Sequence, residues 1–517
     1  MPQHLFSDRG AAVKRLSTRV ADEVTTLLAS VDLNTSPMEL ERQVAQMALG
    51  LGRDMLGLTL SEQCRQATVA DIEERGLDLG DVRLRGARDY TWMVSSTLGV
   101  VAVVAFAYRD TSVPFGTVTR VPARDIVMPL HRHCRSSALC LQWECKLGAQ
   151  RPFRGAQADL AFFTHGATKQ HDTTIAEHVL AVGEIIDTSW LYRRPDEIRT
   201  ILRERATLDQ LTEQPLLYIS SDAHLIRRYV DESWQAAWKN VNGIRLWCID
   251  KDTDAIIHLG GEYTTGDCHV VQEGFRWLDD IGVLPTGGDF GEGVTAQYVV
   301  VTDGAPWLTD RVVGELPGAV AVLDAWHAME YLADHAAALG GKGKRATKSL
   351  YNRMVRALFG PKPLRQRRHK TRRGHKKRRR GANRPHKQAA TSSLPAGPSV
   401  LLDLLRDLEP PPEHAGAHAD FIEKINKNAD RMDYPAMRGR GLKIGSGAME
   451  SLHRTGSQQR LKLPGAKWLA RTMQALLDLR MLALVGRWDE FWSRPQLREE
   501  LCRSFAAQPA AAREAEA

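Results

Sequence analysis

The middle of the chain alternates short apolar runs with helical patterns, and two of these runs end in a carboxylate. Residues 298–301 are β-branched or aromatic and are soon followed by Asp303 and a glycine, which is typical of a buried strand that stops at a functional edge. Residues 319–323 are followed directly by Asp324. Helical spacing from there predicts that Asp324 and His327 begin a helix and lie on one face of it. A plain turn residue and a plain helix cap are the alternative interpretations of the two aspartates.

Three more apolar runs precede these two, and the order of all five predicts a sheet. A short helix follows the third run, and the last two runs supply a fourth strand, a connection and a fifth strand. Strand, strand, strand, helix, strand, helix is the element order of a ribonuclease H-like fold. The first and fourth strands of that fold lie side by side, so Asp222, after the first run, and Asp303 are predicted to converge. Asp250, after the second run, is the alternative first carboxylate, but the acidic residues that follow it indicate a hairpin turn at the opposite edge. The three runs span residues 216–220, 243–249 and 255–259, and the short helix starts near residue 274.

Helical spacing dominates the chain before the sheet. A capping pattern at Ser36, with Glu39 three residues later, predicts the start of an amphipathic helix. Residues 90–108 alternate and then become continuously apolar, which predicts a β-hairpin or two adjacent strands. Residues 173–191 form two short amphipathic pieces around Gly183, a pattern that fits either a DNA-binding helix-turn-helix or a simple turn.

These patterns predict an α+β multidomain protein. A mostly helical N-terminal region with a small β element precedes a ribonuclease H-like catalytic core, a mixed five-stranded sheet with helices, which a helical insertion interrupts. The insertion is too long for a single loop in a compact domain. The predicted regions are an N-terminal helical region (1–85), a small β-containing domain (86–150), a helical region with the candidate helix-turn-helix (151–212), the first part of the core (213–332), the insertion (333–440), the C-terminal helices of the core (441–495) and a tail (496–517).

The positive charge of the chain is concentrated in one segment of the insertion. The net charge is +8, yet residues 362–387 alone contain 14 Lys and Arg and no Asp or Glu, so the rest of the chain is mildly acidic. Basic blocks of this density are typical of nucleic-acid contacts or targeting signals, and a solvated linker without a ligand is the alternative. We call residues 362–387 the basic arm. Its predicted DNA contacts are Arg367, Arg368, Lys370, Arg372, Arg373, Lys376, Lys377, Arg378, Arg379 and Arg380.

Composition and cysteine usage indicate a soluble protein in a reducing compartment. Hydrophobic residues make up 43% and charged residues 26% of the chain, and no apolar run is long enough to cross a membrane. The N-terminus lacks the apolar core of a signal peptide and the seven cysteines are scattered, so we expect a cytoplasmic setting without disulfides. A cluster of zinc-ligand types lacks the paired spacing of a structural zinc site. It consists of His131, His133, Cys134, Cys140 and Cys145.

A glycine-rich turn at residues 445–448 leads into a helix with Glu450 in its first turn, where the backbone amides attract anions. Helical spacing places His453 and Arg454 on roughly the same face as Glu450. A capping carboxylate without chemistry is the alternative interpretation of Glu450. The residues that follow are suited to phosphates and stacked bases. We predict DNA contacts at Arg454, Arg460, Lys462, Lys467 and Trp468.

Three carboxylates suit phosphodiester chemistry: Asp222, Asp303 and Glu450. In-line attack on a phosphodiester needs charge stabilised on the entering and the leaving oxygen. Two Mg²⁺ ions do this, and as hard cations they take oxygen ligands. We therefore predict that the three residues are catalytic and hold two Mg²⁺ ions, with Mn²⁺ as a substitute.

Several segments closely resemble the DDE transposases of bacterial insertion sequences, in the Mutator-like group that includes the Kra-type elements. These segments are TDGAPW, LDAWHAMEYL, GSGAMES and QRLKLPGAKW, and the likeness extends over about residues 39–484. By this resemblance Asp222, Asp303 and Glu450 match the metal-binding triad, and Asp324 with His327 matches the D-x-x-H pair that supports the active site. The chain departs from its likeness at Ala223, where relatives have glycine, and in lacking a cysteine-paired knuckle.

The resemblance implies a transposase that performs Mg²⁺-dependent strand cleavage at the terminal repeats of an insertion sequence and then transfers the 3′-OH to target DNA. Its expected partners are double-stranded DNA, as element ends and target, and further copies of the chain in a dimer or higher oligomer. The expected location is the bacterial cytoplasm, at the nucleoid. Three alternatives stay open: a transposase-derived DNA-binding protein that no longer cuts, a ribonuclease H-like nuclease that only hydrolyses, and a structural RNA-binding protein that depends on the basic arm.

Overall fold

The structure is a computed structural model that describes residues 9–31, 36–77, 82–85, 91–111, 121–122, 134–230, 235–265, 278–304, 314–340, 344–361 and 395–516. The chain is α+β and divides into two compact units. The first unit comprises Met1–Leu191, Leu225–Asn240 and Arg454–Ala517, and the second comprises Tyr192–His224 and Val241–His453. The finer division into seven regions stays a prediction.

The first unit begins with two helices and four short strands. The predicted cap is confirmed, because the Ser36 hydroxyl accepts a hydrogen bond from the Glu39 amide at 3.1 Å. The predicted hairpin within residues 90–108 is also confirmed, since β2 and β3 pair antiparallel around a two-residue turn, and β1 pairs antiparallel with β4. These elements are α1 (Arg9–Ser30), α2 (Pro37–Glu74), β1 (Val82–Arg85), β2 (Thr91–Ser96), β3 (Gly99–Val104) and β4 (Ala107–Asp110).

Three further helices of the first unit follow: α3 (Ala138–Gln150), α4 (Phe153–Phe163) and α5 (Asp172–Gly183). The predicted second piece of a helix-turn-helix is instead a single 3₁₀ turn, Thr188–Leu191. Helix α5 ends at Gly183, where a Cβ would come within 2.5 Å of the Ala475 backbone. The glycine therefore serves close packing, and the helix-turn-helix interpretation of residues 173–191 is wrong.

The second unit opens with α6 (Pro195–Glu204) and contains most of a five-stranded mixed sheet in the order β7-β6-β5-β8-β9. Strands β6 and β7 pair antiparallel, whereas β5 pairs parallel with β8, and β8 pairs parallel with β9. The prediction that the first and fourth strands are neighbours is confirmed. The strands are β5 (Leu216–Val230), β6 (Gln235–Ile249), β7 (Ile256–Thr264), β8 (Gln297–Thr302) and β9 (Val320–Leu323).

The first three strands are longer than their apolar runs. Strand β5 continues past Asp222 to Val230, so Asp222 lies within the strand, whereas the sequence had predicted it at the strand tip. The extension is rich in polar residues, which is why hydrophobicity alone did not reveal it. Asp250 does lie in the turn between β6 and β7, where it accepts hydrogen bonds from the amides of Asp252 and Thr253, as predicted.

Helices pack on the sheet of the second unit and form its main core. Tyr218 of β5 and Trp247 of β6 stack at 4.2 Å between ring centres, and apolar residues of the helices join them. The helices are α7 (Ala325–Leu339), α8 (Lys344–Phe359), α9 (Pro398–Arg406), α10 (Ala415–Lys427), α11 (Tyr434–Gly439) and α12 (Gly447–Leu452). The insertion is helical where it is described, as predicted, and the basic arm lies outside the described residues. Residue 274, the predicted start of the short helix, also lies outside them.

A π-helical turn, His453–Gln458, follows α12 and leads to the C-terminal helices. These are α13 (Gln459–Leu461), α14 (Ala470–Val485), α15 (Trp488–Ser493) and α16 (Leu497–Glu516). Among the described helices, none combines the length and the apolar composition that a membrane span requires. The six described cysteines are all free thiols.

Candidate active site

Three aspartates occupy matching register positions at three adjacent parallel strands. The register pairs Ser221 of β5 with Thr302 of β8, and Thr302 with Leu323 of β9. The residue that follows each member of this row is an aspartate: Asp222, Asp303 or Asp324. Asp303 directly follows the end of β8, as predicted, and the Asp324 amide still donates to the Thr302 carbonyl at 2.8 Å. The register therefore brings together two carboxylates that are distant in sequence.

Asp324 is a fully buried carboxylate whose two oxygens are both engaged. One oxygen accepts from the Ser446 amide at 2.8 Å, and the other accepts from His327 Nδ1 at 2.8 Å. Burial alone would raise the pKa of Asp324, but the hydrogen bonds from His327 and Ser446 outweigh it and the pKa is lowered. Asp324 also caps α7, so the predicted start of a helix at this position is confirmed.

His327 connects the three aspartates electrostatically. Its hydrogen bond to Asp324 is the main cause of a raised pKa, and the negative charges of Asp303 and Asp222 raise it further despite partial burial. Because Nδ1 faces Asp324, the Nε2 atom is the ring nitrogen that can meet an outside group, and 31% of the side chain is exposed. The carboxylates of Asp303 and Asp222 are therefore among the charges that favour the protonated form of this imidazole.

Asp222 has its own histidine partner in the π-helical turn. His453 is buried, and its Nε2 atom lies 3.3 Å from Asp222 Oδ2 without forming a hydrogen bond. The other ring nitrogen lies 3.1 Å from the Tyr263 hydroxyl, and the His224 ring is 4.4 Å away between ring centres. A quarter of the Asp222 side chain, 24%, stays exposed. Asp222 is therefore oriented from one side and open on another.

Glu450 lies in the first turn of α12, as predicted, and is exposed. The start of this helix is held from two directions, because Ser446 donates to Asp324 and the Ala448 carbonyl accepts from buried Arg245. Glu450 and Arg454 are both exposed, in line with the predicted shared face, whereas His453 is buried and departs from it. The change from an α-helix to a π-helical turn at His453 alters the spacing on which that prediction rested.

The donor chemistry of this site fits magnesium in part. The carboxylates of Asp222 and Asp303 are hard oxygen ligands of the type that Mg²⁺ takes. Within the ranges that the structure describes, no three His, Cys, Asp or Glu side chains are grouped so that they could hold a metal ion. Asp222 and Asp303 are thus the two residues that the register brings together, whereas Glu450 belongs to no metal-binding group of three among the described residues.

The chain matches no family model. The search of curated proteins likewise produced no match.

The predicted DNA contacts near the C-terminus separate into two groups. Arg454, Lys462 and Lys467 are exposed cations, and Trp468 is half-buried. Arg460 is 1% exposed, and its Nε atom donates to the Gly148 carbonyl at 3.0 Å. The predicted DNA contact of Arg460 is wrong, because its guanidinium is buried inside the first unit. The ten predicted contacts of the basic arm lie outside the described residues.

The cysteines of the candidate zinc cluster belong to a buried hydrogen-bond network. Glu144 lies at its centre, accepting from Cys140 Sγ at 3.1 Å and pairing closely with His178 Nδ1. Burial would lower the pKa of His178, but neighbouring Cys134 and Glu144 raise it. Burial raises the pKa of the Cys140 and Cys145 thiols, which favours the protonated form over the thiolate that metals bind. His131 and His133 lie outside the described residues.

Sequence reasoning missed two residues of the site. His453 was assigned to the Glu450 face and not to Asp222, and Tyr263 was not considered. A histidine one helical turn after Glu450 is a signal that could have been used. Tyr263 carried no such signal, because a tyrosine near the end of a strand is ordinary core composition.

Proposed function

We propose that the chain is a DDE-type transposase with a ribonuclease H-like core. The observation that carries the proposal is the register of β5, β8 and β9, which aligns Asp222 and Asp303 beside the Asp324–His327 pair. The sheet order, with β5 central between an antiparallel pair and a parallel pair, is that expected for a ribonuclease H-like sheet. The sequence motifs at the same positions resemble those of transposases.

In this proposal Asp222, Asp303 and Glu450 would hold two Mg²⁺ ions. When bound, such ions stabilise charge on the attacking and leaving oxygens of a phosphodiester. The chain supplies the orientation. The Ala223 amide donates to Asp222 Oδ1 at 2.7 Å and His453 lies beside the other oxygen, while the hydrogen bond between Ser446 and Asp324 holds the entry of α12, the helix of Glu450. His327 presents its outward nitrogen near the carboxylates, where it could hold a water or a phosphate oxygen by hydrogen bonding.

The basic arm and the exposed cations Arg454, Lys462 and Lys467 suit a DNA duplex, because its phosphates form a dense array of negative charge. Most protein–DNA hydrogen bonds go to phosphate and sugar and set the position of the protein without reading sequence. We therefore assign sequence-independent DNA binding to these residues, and we assign recognition of the terminal repeat to other parts of the chain.

A nicking assay tests the proposal. The full chain should nick DNA that carries the element ends in the presence of Mg²⁺ and not in the presence of a chelator. Asp303→Asn and Glu450→Gln should abolish nicking and leave DNA binding intact, since amides are poor ligands for the ions but keep the size of the side chain. Asp403→Asn is the matched control, because its side chain is 74% exposed on α9. Cleavage that survives both active-site changes would contradict the mechanism.

Product analysis separates the alternatives. A transposase joins the freed 3′-OH to a second DNA, so labelled ends should appear covalently attached to a target plasmid. A nuclease that only hydrolyses would yield nicks without joined products. A descendant that no longer cuts would bind the ends and yield neither, and an RNA-binding protein would lose all binding with the basic arm.

A further inference from the structure

Strands β5 and β6 extend beyond the apolar runs that predicted them. We call Leu225–Asn240, which includes the last residues of β5 and the first residues of β6, the β-arm. The β-arm belongs to the first unit. The two strands are neighbours in the sheet, and because only four residues join them they run antiparallel. Exposed side chains on the extensions include Arg227, Trp238 and Lys239. The indole of Trp238 is 61% exposed, which is unusual for the largest apolar side chain.

A second segment of the first unit, residues 461–468, is fastened to the β-arm. The Tyr229 amide donates to the Trp468 carbonyl at 2.9 Å, and the Trp468 indole donates to the Leu461 carbonyl at 2.9 Å. The guanidinium carbon of buried Arg460 lies 4.8 Å from the centres of both the Trp468 and Phe153 rings. The segment is therefore held by hydrogen bonds within itself and to the β-arm, so its surface is preformed.

The β-arm and this segment line an open cleft with a volume of about 390 Å³. Its walls are Arg227 and Trp238 on the β-arm and residues 461–466 on the segment, including Lys462, Leu463 and Pro464. The lining combines an exposed aromatic face, aliphatic side chains and two cations, and no acidic residue is among the described residues that form it. Lys467 adds a third cation close by, with its Nζ atom 6.0 Å from the centre of the Tyr229 ring.

This lining fits a ligand that is flat and aromatic in one part and anionic in another. A nucleobase stacks on tryptophan in a way that tolerates any sequence, and the adjoining phosphates pair with arginine and lysine. In an intact duplex both faces of a base are covered by its neighbours, so only an unpaired or displaced base can use the indole. An acidic peptide would satisfy the cations and leave the indole exposed.

We propose that this cleft binds single-stranded DNA, with an unpaired base stacked on Trp238 and its phosphates on Arg227 and Lys462. The inference deepens the proposed transposase function and rests on it, because strand cleavage frees DNA ends whose bases can leave the duplex. It assigns to the β-arm a preference for unpaired DNA that the basic arm, as a source of charge alone, does not supply.

The test compares two fluorescein-labelled probes of equal length and charge, an oligothymidylate and the same backbone with abasic sites, by anisotropy with the full chain. The wild type should prefer the probe with bases by about tenfold, since one stacked base contributes about 1–3 kcal/mol. Trp238→Ala should remove this preference, and Trp238→Phe should restore most of it. Phe162→Ala is the matched control, because Phe162 is 77% exposed on α4 and lies outside the cleft lining.

Measuring at low and raised salt separates stacking from charge. Phosphate contacts weaken with salt for both probes, whereas the difference between the probes should persist. Equal binding of the two probes by the wild type, or a preference that survives Trp238→Ala, would overturn the proposal. If Trp238→Ala weakened binding equally for both probes and for a blunt duplex, this would also overturn the proposal, because it would indicate that the surface binds DNA through charge alone. Unchanged thermal unfolding of each variant excludes misfolding. Binding to these probes needs no metal, so the proposal can fail or stand independently of the nicking assay.

Discussion

At the level of single residues, the two histidine–aspartate pairs of the site differ in how much of the carboxylate is left for a ligand. Asp324 is 0% exposed and both of its oxygens accept hydrogen bonds, so it orients the chain around it. Asp222 has one oxygen beside His453 and the other accepting from the Ala223 amide at 2.7 Å, yet 24% of its side chain stays exposed. The first aspartate is therefore suited to positioning, and the second to holding a ligand.

Replacing Asp324 tests this division. Asp324→Ala leaves the buried Ser446 amide without its acceptor and removes the partner of His327, which should lower the free energy of unfolding by about 1–3 kcal/mol. Chemical denaturation followed by circular dichroism measures the change. Asp403→Ala, at an exposed carboxylate on α9, should stay within about 0.5 kcal/mol of wild type. Equal stability of Asp324→Ala and the wild type would show that the buried contacts contribute nothing.

Single residues were also where the sequence was most and least informative. Asp303 and Asp324 were predictable, because an apolar run that stops at an aspartate is a local pattern. The partnership of His453 with Asp222 was not, because it depends on how the helix after Glu450 is wound. The buried role of Arg460 was equally hidden, since a basic residue within a basic and aromatic stretch has the same sequence signature whether it faces solvent or packs inside.

At the level of elements, α7 and α10 are connected by a pair of buried histidines. His418 Nε2 lies 2.9 Å from the Leu405 carbonyl and must carry the proton, because a carbonyl only accepts. Its Nδ1 atom then accepts a hydrogen bond from His335 Nε2 at 2.9 Å. His335 also stacks on Phe421 at 3.9 Å between ring centres.

This pair predicts a pH-dependent stability. Burial is the main cause that lowers the pKa of His335, from 6.5 to about 4, and the charge of His418 adds to it. The unfolded chain then binds more protons than the folded chain between these values, so stability should fall as the pH drops from about 6.5 to about 4. The loss should reach about 2–3 kcal/mol.

Urea denaturation across this pH range checks the prediction with two variants. His335→Gln keeps a donor without titrating and should remove this part of the pH dependence. His171→Gln should leave it unchanged, because the His171 side chain is 70% exposed. A wild type and a His335→Gln variant with parallel pH profiles would contradict the assignment.

Strand lengths show why the elements were predicted better in their order than in their extent. Hydrophobic runs located all five strands and gave their order in the sequence. The pairing of β5 with β8, the first and fourth strands, was correctly predicted from that order. The extensions of β5 and β6 carry Arg227, Arg228 and Lys239, which are typical of a loop. Their strand conformation depends on pairing between the extensions, a contact that a local pattern does not contain.

At the level of the whole molecule, the largest block of positive charge and the proposed catalytic residues belong to different segments of the sequence. The basic arm holds 14 of the cationic residues, while the candidate active site consists of carboxylates and histidines. A deletion of residues 362–387 should therefore reduce the slope of log affinity against log salt for duplex DNA, since each phosphate contact contributes about −0.9 to that slope. The stability of the sheet should not change. An unaltered slope in anisotropy titrations would show that the basic arm makes no phosphate contacts.

The central claim is that Asp222, Asp303 and Glu450 act as one metal site, and counting bound ions tests it most directly. Electron paramagnetic resonance of Mn²⁺ with the full chain and a DNA duplex should reveal two bound ions per chain in the wild type and in Asp403→Asn. Asp303→Asn and Glu450→Gln should each bind fewer. A wild type that binds no more Mn²⁺ than these two variants would contradict the account.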